Sequence, residues 1–175
     1  MKQKNKNSDD QYQIYLNLGI KKAKIGNFEE SKNIFLKAIK INNIKSEAYI
    51  NLSNVYIFLN QIDKSINLLT KYISKIKFDE KVALHLGNIC KQYNKTNEML
   101  QLFKVSKLEQ LNFSSEKKHL YFLQAQYYEE NYNFHKAILS YKNSILCNDE
   151  YFDAYISLYN LFESTNDIKS LEKYI

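Results

Sequence analysis

YLNLGIKKAKIGNFEESKNIFLKA, residues Tyr15–Ala38, sets the organisation of this chain, because its landmarks return further along at a nearly fixed spacing. A column of small residues, spaced by 34, 34, 38 and 34 positions and broken only at its last member, reads Gly19, Ser53, Gly87, Ala125 and Tyr159. An aromatic column at the same spacing reads Tyr15, Tyr49, Ala83, Tyr121 and Tyr155. Self-similarity at this period predicts stacked helical hairpins that bury a continuous seam.

Each unit shows two amphipathic halves separated by a turn. In the first unit, Ile14, Leu18 and Ile25 lie at helical spacing, and Ile34, Phe35 and Ala38 do so in the second half. The turn falls at Gly26-Asn27, where glycine adopts a left-handed conformation without a steric cost. Later units carry, at the same register, Asn60, Asn94, Asn131-Tyr132-Asn133 and Asn166. Asparagine is the next-best residue for that conformation, so the turns support the register independently.

The chain resembles the tetratricopeptide-repeat family over residues 12–175. The resemblance implies an all-α fold, an α-solenoid in which about 4.5 antiparallel helix-turn-helix hairpins form a right-handed superhelix. The predicted units cover about 12–45, 46–79, 80–117 and 118–151, followed by an incomplete unit at 152–175.

The two ends of the chain give separate expectations. Residues 1–9 are polar and aperiodic and are predicted to be a disordered tail, with Ser8, Asp9 or Asp10 as the cap of the first helix. At the other end, the fifth unit stops within its second helix, which would leave Ile168, Leu171 and Ile175 partly bare. We therefore expect the array to continue in a longer protein, or a dimer partner or neighbouring domain to cover this end.

Composition limits the class of protein. A net charge of +6 would suit an anionic partner, but all 25 cations are lysine, so the bidentate fork of arginine is missing. We expect a solvated lysine surface in preference to a nucleic-acid site.

No segment has the apolar length of a membrane helix or a secretory signal. Cys90 and Cys147 fit packed free thiols. A soluble cytoplasmic protein is therefore expected.

Binding residues are expected on the first helix of each hairpin, which lines the concave face of a solenoid. Two polar columns run along these helices. The predicted peptide-binding residues on these columns are Asn17, Asn51, Asn54, His85, Asn88, Gln126 and Asn160. Amide side chains both donate and accept hydrogen bonds, so they can hold a peptide backbone without selecting its side chains. Similar asparagine ladders occur in the tetratricopeptide arm of sugar-transferring enzymes, so the resemblance also points to peptide capture.

A neighbouring column on the same helices is apolar and reads Leu16, Ile50, Leu84, Phe122 and Ile156. Chaperone-binding relatives hold a carboxylate with cations at first-helix positions, and the apolar residues here argue against that clamp. We expect this column to pack within the seam.

No catalytic residue, metal site or cofactor is predicted. His85, His119 and the Glu129-Glu130 pair belong to no motif that would bring ligands or a nucleophile and base together. The predicted function is protein or peptide recognition without catalysis. The alternatives are an accessory arm of a larger sulfotransferase or glycosyltransferase and, less favoured by the 34-residue spacing, an RNA-binding array.

Overall fold

The computed structural model describes residues 2–108 and 117–164. Within these ranges every regular element is an α-helix, and the order is α1 Lys2–Lys24, α2 Phe28–Ile41, α3 Ser46–Phe58, α4 Ile62–Lys75, α5 Glu80–Gln92, α6 Thr96–Val105, α7 Lys118–Glu130, α8 Phe134–Cys147 and α9 Phe152–Ser164. Helices α1 to α8 pair in sequence as four hairpins. The all-α, helical-hairpin fold class is therefore confirmed.

Four equivalent turns of three residues close these hairpins. The central residue of each has positive φ: Gly26 (78°), Asn60 (57°), Asn94 (53°) and Tyr132 (58°). The third residue donates its backbone N–H to a carbonyl five positions back, as in Asn27 to Lys22 at 3.0 Å and Lys95 to Cys90 at 2.8 Å. This is the Schellman arrangement that ends a helix at a left-handed residue. The predicted turn register is confirmed in these four units, and Asn166 lies outside the described residues.

The chain divides into two compact units, Met1–Val105 and Ser106–Ile175. In the first unit, Tyr12, Leu16 and Phe35 pack with Ala48 and Leu52, so α1 and α2 of one hairpin share a core with α3 of the next. In the second unit, Ala137 and Tyr141 of α8 pack against Leu158 and Phe162 of α9.

The small-residue column allows close packing between the two helices of a hairpin. A Cβ atom at Gly19 would lie 2.5 Å from Cε1 of Phe35, which is fully buried in α2. The hydroxyl of Ser31 also donates to the carbonyl of Gly19 at 2.8 Å. Both contacts require the backbone of α1 to approach α2 without a side chain between them.

One sequence prediction is corrected at the N-terminus. Helix α1 begins at Lys2, so residues 2–9 are helical and the predicted disordered tail and cap at Ser8, Asp9 or Asp10 are not present. The polar residues of this stretch include neither proline nor glycine and can extend a helix that tertiary packing has already nucleated. Asp9 is anchored by an ion pair with Lys45 at 3.0 Å. The expectation for Ile168, Leu171 and Ile175 falls outside the described residues.

Candidate functional site

The first helices α1, α3, α5, α7 and α9 carry the predicted binding residues, and the structure separates them into two groups. The first group is Asn17, Asn51 and His85, which use their side chains within the protein. Asn17 accepts a hydrogen bond from Gln13 at 3.4 Å, and Asn51 donates to the carbonyl of Glu47 at 2.8 Å. Asn17 thus uses its amide oxygen, and Asn51 its amide nitrogen, in a hydrogen bond within its own helix.

His85 links two hairpins of the first unit. Its Nε2 lies 2.8 Å from the hydroxyl of Ser53, so α5 is joined to α3 through a half-buried side chain. Burial lowers the pKa of His85 below its ordinary value of 6.5, which favours the neutral ring. The contact indicates a structural role at the stack of α3 and α5.

The second group comprises Asn54, Asn88 and Asn160, whose amides have no hydrogen-bond partner among the described residues. Asn54 is half-buried on α3, whereas Asn88 is exposed at the same register on α5, and these two helices pack together. In the second unit, Asn160 is exposed on α9. Gln126, half-buried on α7, belongs to neither group and interacts with other residues of the chain. Asn54 and Asn88 are thus the two predicted residues of the first unit whose amides have no hydrogen-bond partner among the described residues.

The apolar column on the first helices is only partly buried. Leu16 is buried in the core and Phe122 packs edge-to-face on Tyr141 at 5.6 Å. Ile50 and Leu84 are half-buried, and Ile156 is 58% exposed. The expectation of seam packing is confirmed for Leu16 and Phe122 and is wrong for Ile156, because nothing in the described part of the chain covers that position.

Sequence reasoning missed a set of tyrosine hydroxyls that act between elements. Tyr12 accepts a hydrogen bond from the backbone N–H of Ala48 at 3.2 Å and donates to Glu47 at 3.3 Å, so it caps the start of α3. Tyr121 donates to the carbonyl of Leu108 at 2.8 Å in the second unit. Burial raises the pKa of Tyr12 to about 12, as expected for a phenol held in its neutral form. No local sequence signal pointed to these hydroxyl contacts, because the residues that they join are distant in the sequence.

The remaining titratable groups form no reactive cluster in the described ranges. His119 lies 3.4 Å from the hydroxyl of Tyr151, and the hydroxyl of Tyr141 donates to Glu129 at 2.5 Å. Cys90 and Cys147 are buried free thiols, as predicted. The described residues include no group of three metal-ligating side chains, and none of their helices combines the length and apolar character needed to cross a membrane.

These contacts define the chain as a helical-hairpin repeat protein. The family model for the tetratricopeptide repeat matches residues 12–44 and 46–74, which cover the first two hairpins. The first two hairpins are therefore tetratricopeptide repeats, and the resemblance read from the 34-residue period is confirmed there.

Comparison with solved structures supports the fold over most of the chain. The PilF protein of Pseudomonas aeruginosa superposes with a TM-score of 0.70 at 15% identity, covering 96% of this chain and 75% of that one. A MamA protein from Desulfovibrio magneticus RS-1, residues 41 to the end, gives 0.63 at 13% identity, with coverage of 94% and 90%. A thermophilic tetratricopeptide-repeat protein of Thermus thermophilus gives 0.56 at 17% identity, with coverage of 88% and 82%. At these identities the likeness concerns the fold alone, and comparison with curated proteins returns no match.

Proposed function

We propose that the protein recognises an extended peptide segment of a partner protein along its first helices, with Asn54 and Asn88 as the main contacts. The observation that carries the proposal is that these two amides occupy one register on packed helices and have no partner among the described residues. An amide without an internal partner is available to donate and accept at the same time.

The spacing of the two helices suits a peptide backbone. Packed helices lie about 8–10 Å apart, and an extended chain advances roughly 3.3 Å per residue. Equivalent side chains on α3 and α5 would therefore meet every third residue of a peptide that crosses them. Asn54 and Asn88 would each pair with one peptide unit, which gives affinity for the backbone with little choice of side chain.

The neighbouring side chains add an apolar component. Ile50 and Leu84 lie on the same helices, four positions before the amides, and both are half-buried. Their exposed portions provide a surface on which apolar peptide side chains would rest. Selectivity would therefore come from this strip, because the amides contact only the backbone.

The test uses a displayed library of random peptides of about 12 residues, a length that spans several repeats. We expect enrichment on the wild-type protein and loss of roughly tenfold or more in affinity for the selected peptides with Asn54→Ala/Asn88→Ala. The matched control is Asn67→Ala/Asn97→Ala, which removes two exposed amides from the second helices α4 and α6.

Failure to enrich any peptide, or equal binding by the two double variants, would contradict the proposal. Replacing individual peptide bonds of a selected peptide with N-methyl bonds separates backbone from side-chain recognition, because the N–H donor is lost. The transferase-arm and RNA-binding alternatives stay predictions, since no contact in the described ranges favours either.

A further inference from the structure

The upstream face of the first hairpin exposes residues that later hairpins bury. Ile14 is 62% exposed, whereas the equivalent residues of the next units, Ala48 and Val82, are fully buried. Leu18 is 39% exposed, whereas its equivalent Leu52 is fully buried. In the second and third hairpins this face is covered by the preceding hairpin, whereas Ile14 and Leu18 are exposed among the described residues. Ile14 and Leu18 form a stacking surface that is here called the α1 face.

Helix α9 exposes the complementary set. Phe152 is 70% exposed and Ile156 is 58% exposed, whereas Tyr12 and Leu16, at the same register of the first unit, are 1% and 6% exposed. Tyr12 and Leu16 are covered because α3 of the next hairpin packs on them. Phe152 and Ile156 thus form a second stacking surface, here called the α9 face.

These two faces are the two halves of an interface that the protein already uses internally. Inside the first unit, Tyr12 and Leu16 of α1 pack with Ala48 and Leu52 of α3. The α9 face carries the positions of the first pair, and the α1 face carries the positions of the second pair. A contact between them would repeat the packing of α1 on α3.

Charge favours the same pairing. Residues 1–105 contain 18 lysines against 9 acidic residues, a net charge of +9, and residues 106–175 contain 7 lysines against 10 acidic residues, a net charge of −3. Opposite net charges on the two parts of the chain that would meet increase the rate of encounter and orient it.

The charged residues near the two faces have the same signs as these two net charges. Beside the α1 face, an open groove of about 460 Å³ is lined by Gln11, Ile14, Tyr15, Lys37, Lys40 and Ile41. At the start of α9 stand the acidic residues Asp149, Glu150 and Asp153. The groove therefore carries two lysines, and the start of α9 carries three acidic residues.

We propose that copies of this chain associate head to tail, with the α9 face of one copy on the α1 face of the next. The contact is heterologous, because different surfaces meet, so association does not stop at a dimer unless the geometry closes a ring. The surface is separate from Asn54 and Asn88, so this inference and the proposed peptide binding can fail independently.

The test is sedimentation velocity of the full chain from about 1 µM to about 1 mM, the range in which an interface of modest size associates. We expect the wild-type mass to rise through dimer to larger species. Ile14→Lys and Ile156→Lys should each raise the dissociation constant by roughly tenfold or more, because each places a charge in the apolar centre of the contact. Leu139→Lys is the matched control, since Leu139 is 50% exposed on α8.

Mixing the two variants gives the sharpest result. The Ile14→Lys protein keeps an intact α9 face and the Ile156→Lys protein keeps an intact α1 face, so an equimolar mixture should form a dimer and nothing larger. Circular dichroism verifies that each variant retains its helices. A wild type that stays monomeric, association that ends at a symmetric dimer, or variants that behave like Leu139→Lys would overturn the proposal.

Discussion

The hydroxyl of Tyr12 accepts a hydrogen bond from the backbone N–H of Ala48 at 3.2 Å, so a side chain of the first hairpin caps the first helix of the second. Removing this hydroxyl in Tyr12→Phe leaves a buried N–H without its acceptor. We expect a loss of about 1–3 kcal/mol in the free energy of unfolding, measured by urea denaturation.

The matched control for this change is Tyr15→Phe. Tyr15 lies on the same helix and is half-buried, and its hydroxyl makes no hydrogen bond within the described residues. Its substitution should leave stability nearly unchanged. Equal effects of the two substitutions would show that the hydroxyl of Tyr12 is not a cap of α3.

Gly19→Ala tests the close approach of α1 and α2. The added Cβ would stand 2.5 Å from Cε1 of Phe35. Although alanine favours a helix by up to about 1 kcal/mol over glycine, the clash should give a net destabilisation of about 1–3 kcal/mol. Thermal unfolding followed by circular dichroism measures the change.

The steric origin of that loss is checked with Phe35→Leu. In this background Gly19→Ala should cost less than it does in the wild type, because the smaller side chain leaves room for the new methyl group. A stabilising effect of Gly19→Ala in the wild-type background would contradict the packing described for this pair.

Tyr132→Asn should stabilise the protein. Tyr132 adopts a φ of 58° at the turn between α7 and α8, where a bulky residue is strained, and it is 82% exposed, so little packing is lost. We expect a gain of about 1 kcal/mol in urea denaturation. The reverse change, Asn94→Tyr, applies the same strain at the equivalent turn and should destabilise by a similar amount.

The stability of the protein should fall as the pH decreases through the titration of His85. Burial lowers the folded-state pKa of this residue below 6.5, so the unfolded chain binds the proton first. The full stability is therefore present above about pH 7.5 and decreases below about pH 6.5.

Because the pKa of His119 is also lowered by burial, the measurement uses His119→Gln as its starting background. The urea midpoints of the His119→Gln variant and of the His85→Gln/His119→Gln variant are compared at about pH 7.5 and pH 5.5. These values lie on either side of the titration of His85. The decrease should be smaller in the double variant. An identical decrease in both proteins would assign the pH dependence to other groups.

The sequence predicted the hairpins well because their determinants are local. A left-handed residue at Gly26, Asn60 or Asn94 marks a turn through its own backbone preference. The helical spacing of apolar residues likewise indicates each helix from local sequence. The N-terminal boundary was wrong, because a polar stretch carries no period and its helical state depends on the helix that follows it.

The sequence could not show which of the predicted binding residues hydrogen-bond within the protein. Asparagine is the same residue in the sequence whether or not its amide has an internal partner. Asn51 donates to the carbonyl of Glu47, whereas Asn54, three positions later, is without a partner among the described residues. The cap formed by Tyr12 was equally hidden, since it joins residues 36 positions apart. Such contacts depend on how neighbouring hairpins face one another, which the period alone does not specify.

Within each compact unit, the helices pack mainly on their neighbours in sequence, as α1 does on α2 and α2 on α3. Forming these contacts closes only short loops, and chains with such contacts fold quickly. A hairpin that leaves the ribosome can therefore already form most of its native contacts. Each new helix then packs on the helix made just before it. The N-terminal hairpins would mature first during synthesis, before the acidic C-terminal part of the chain has been made.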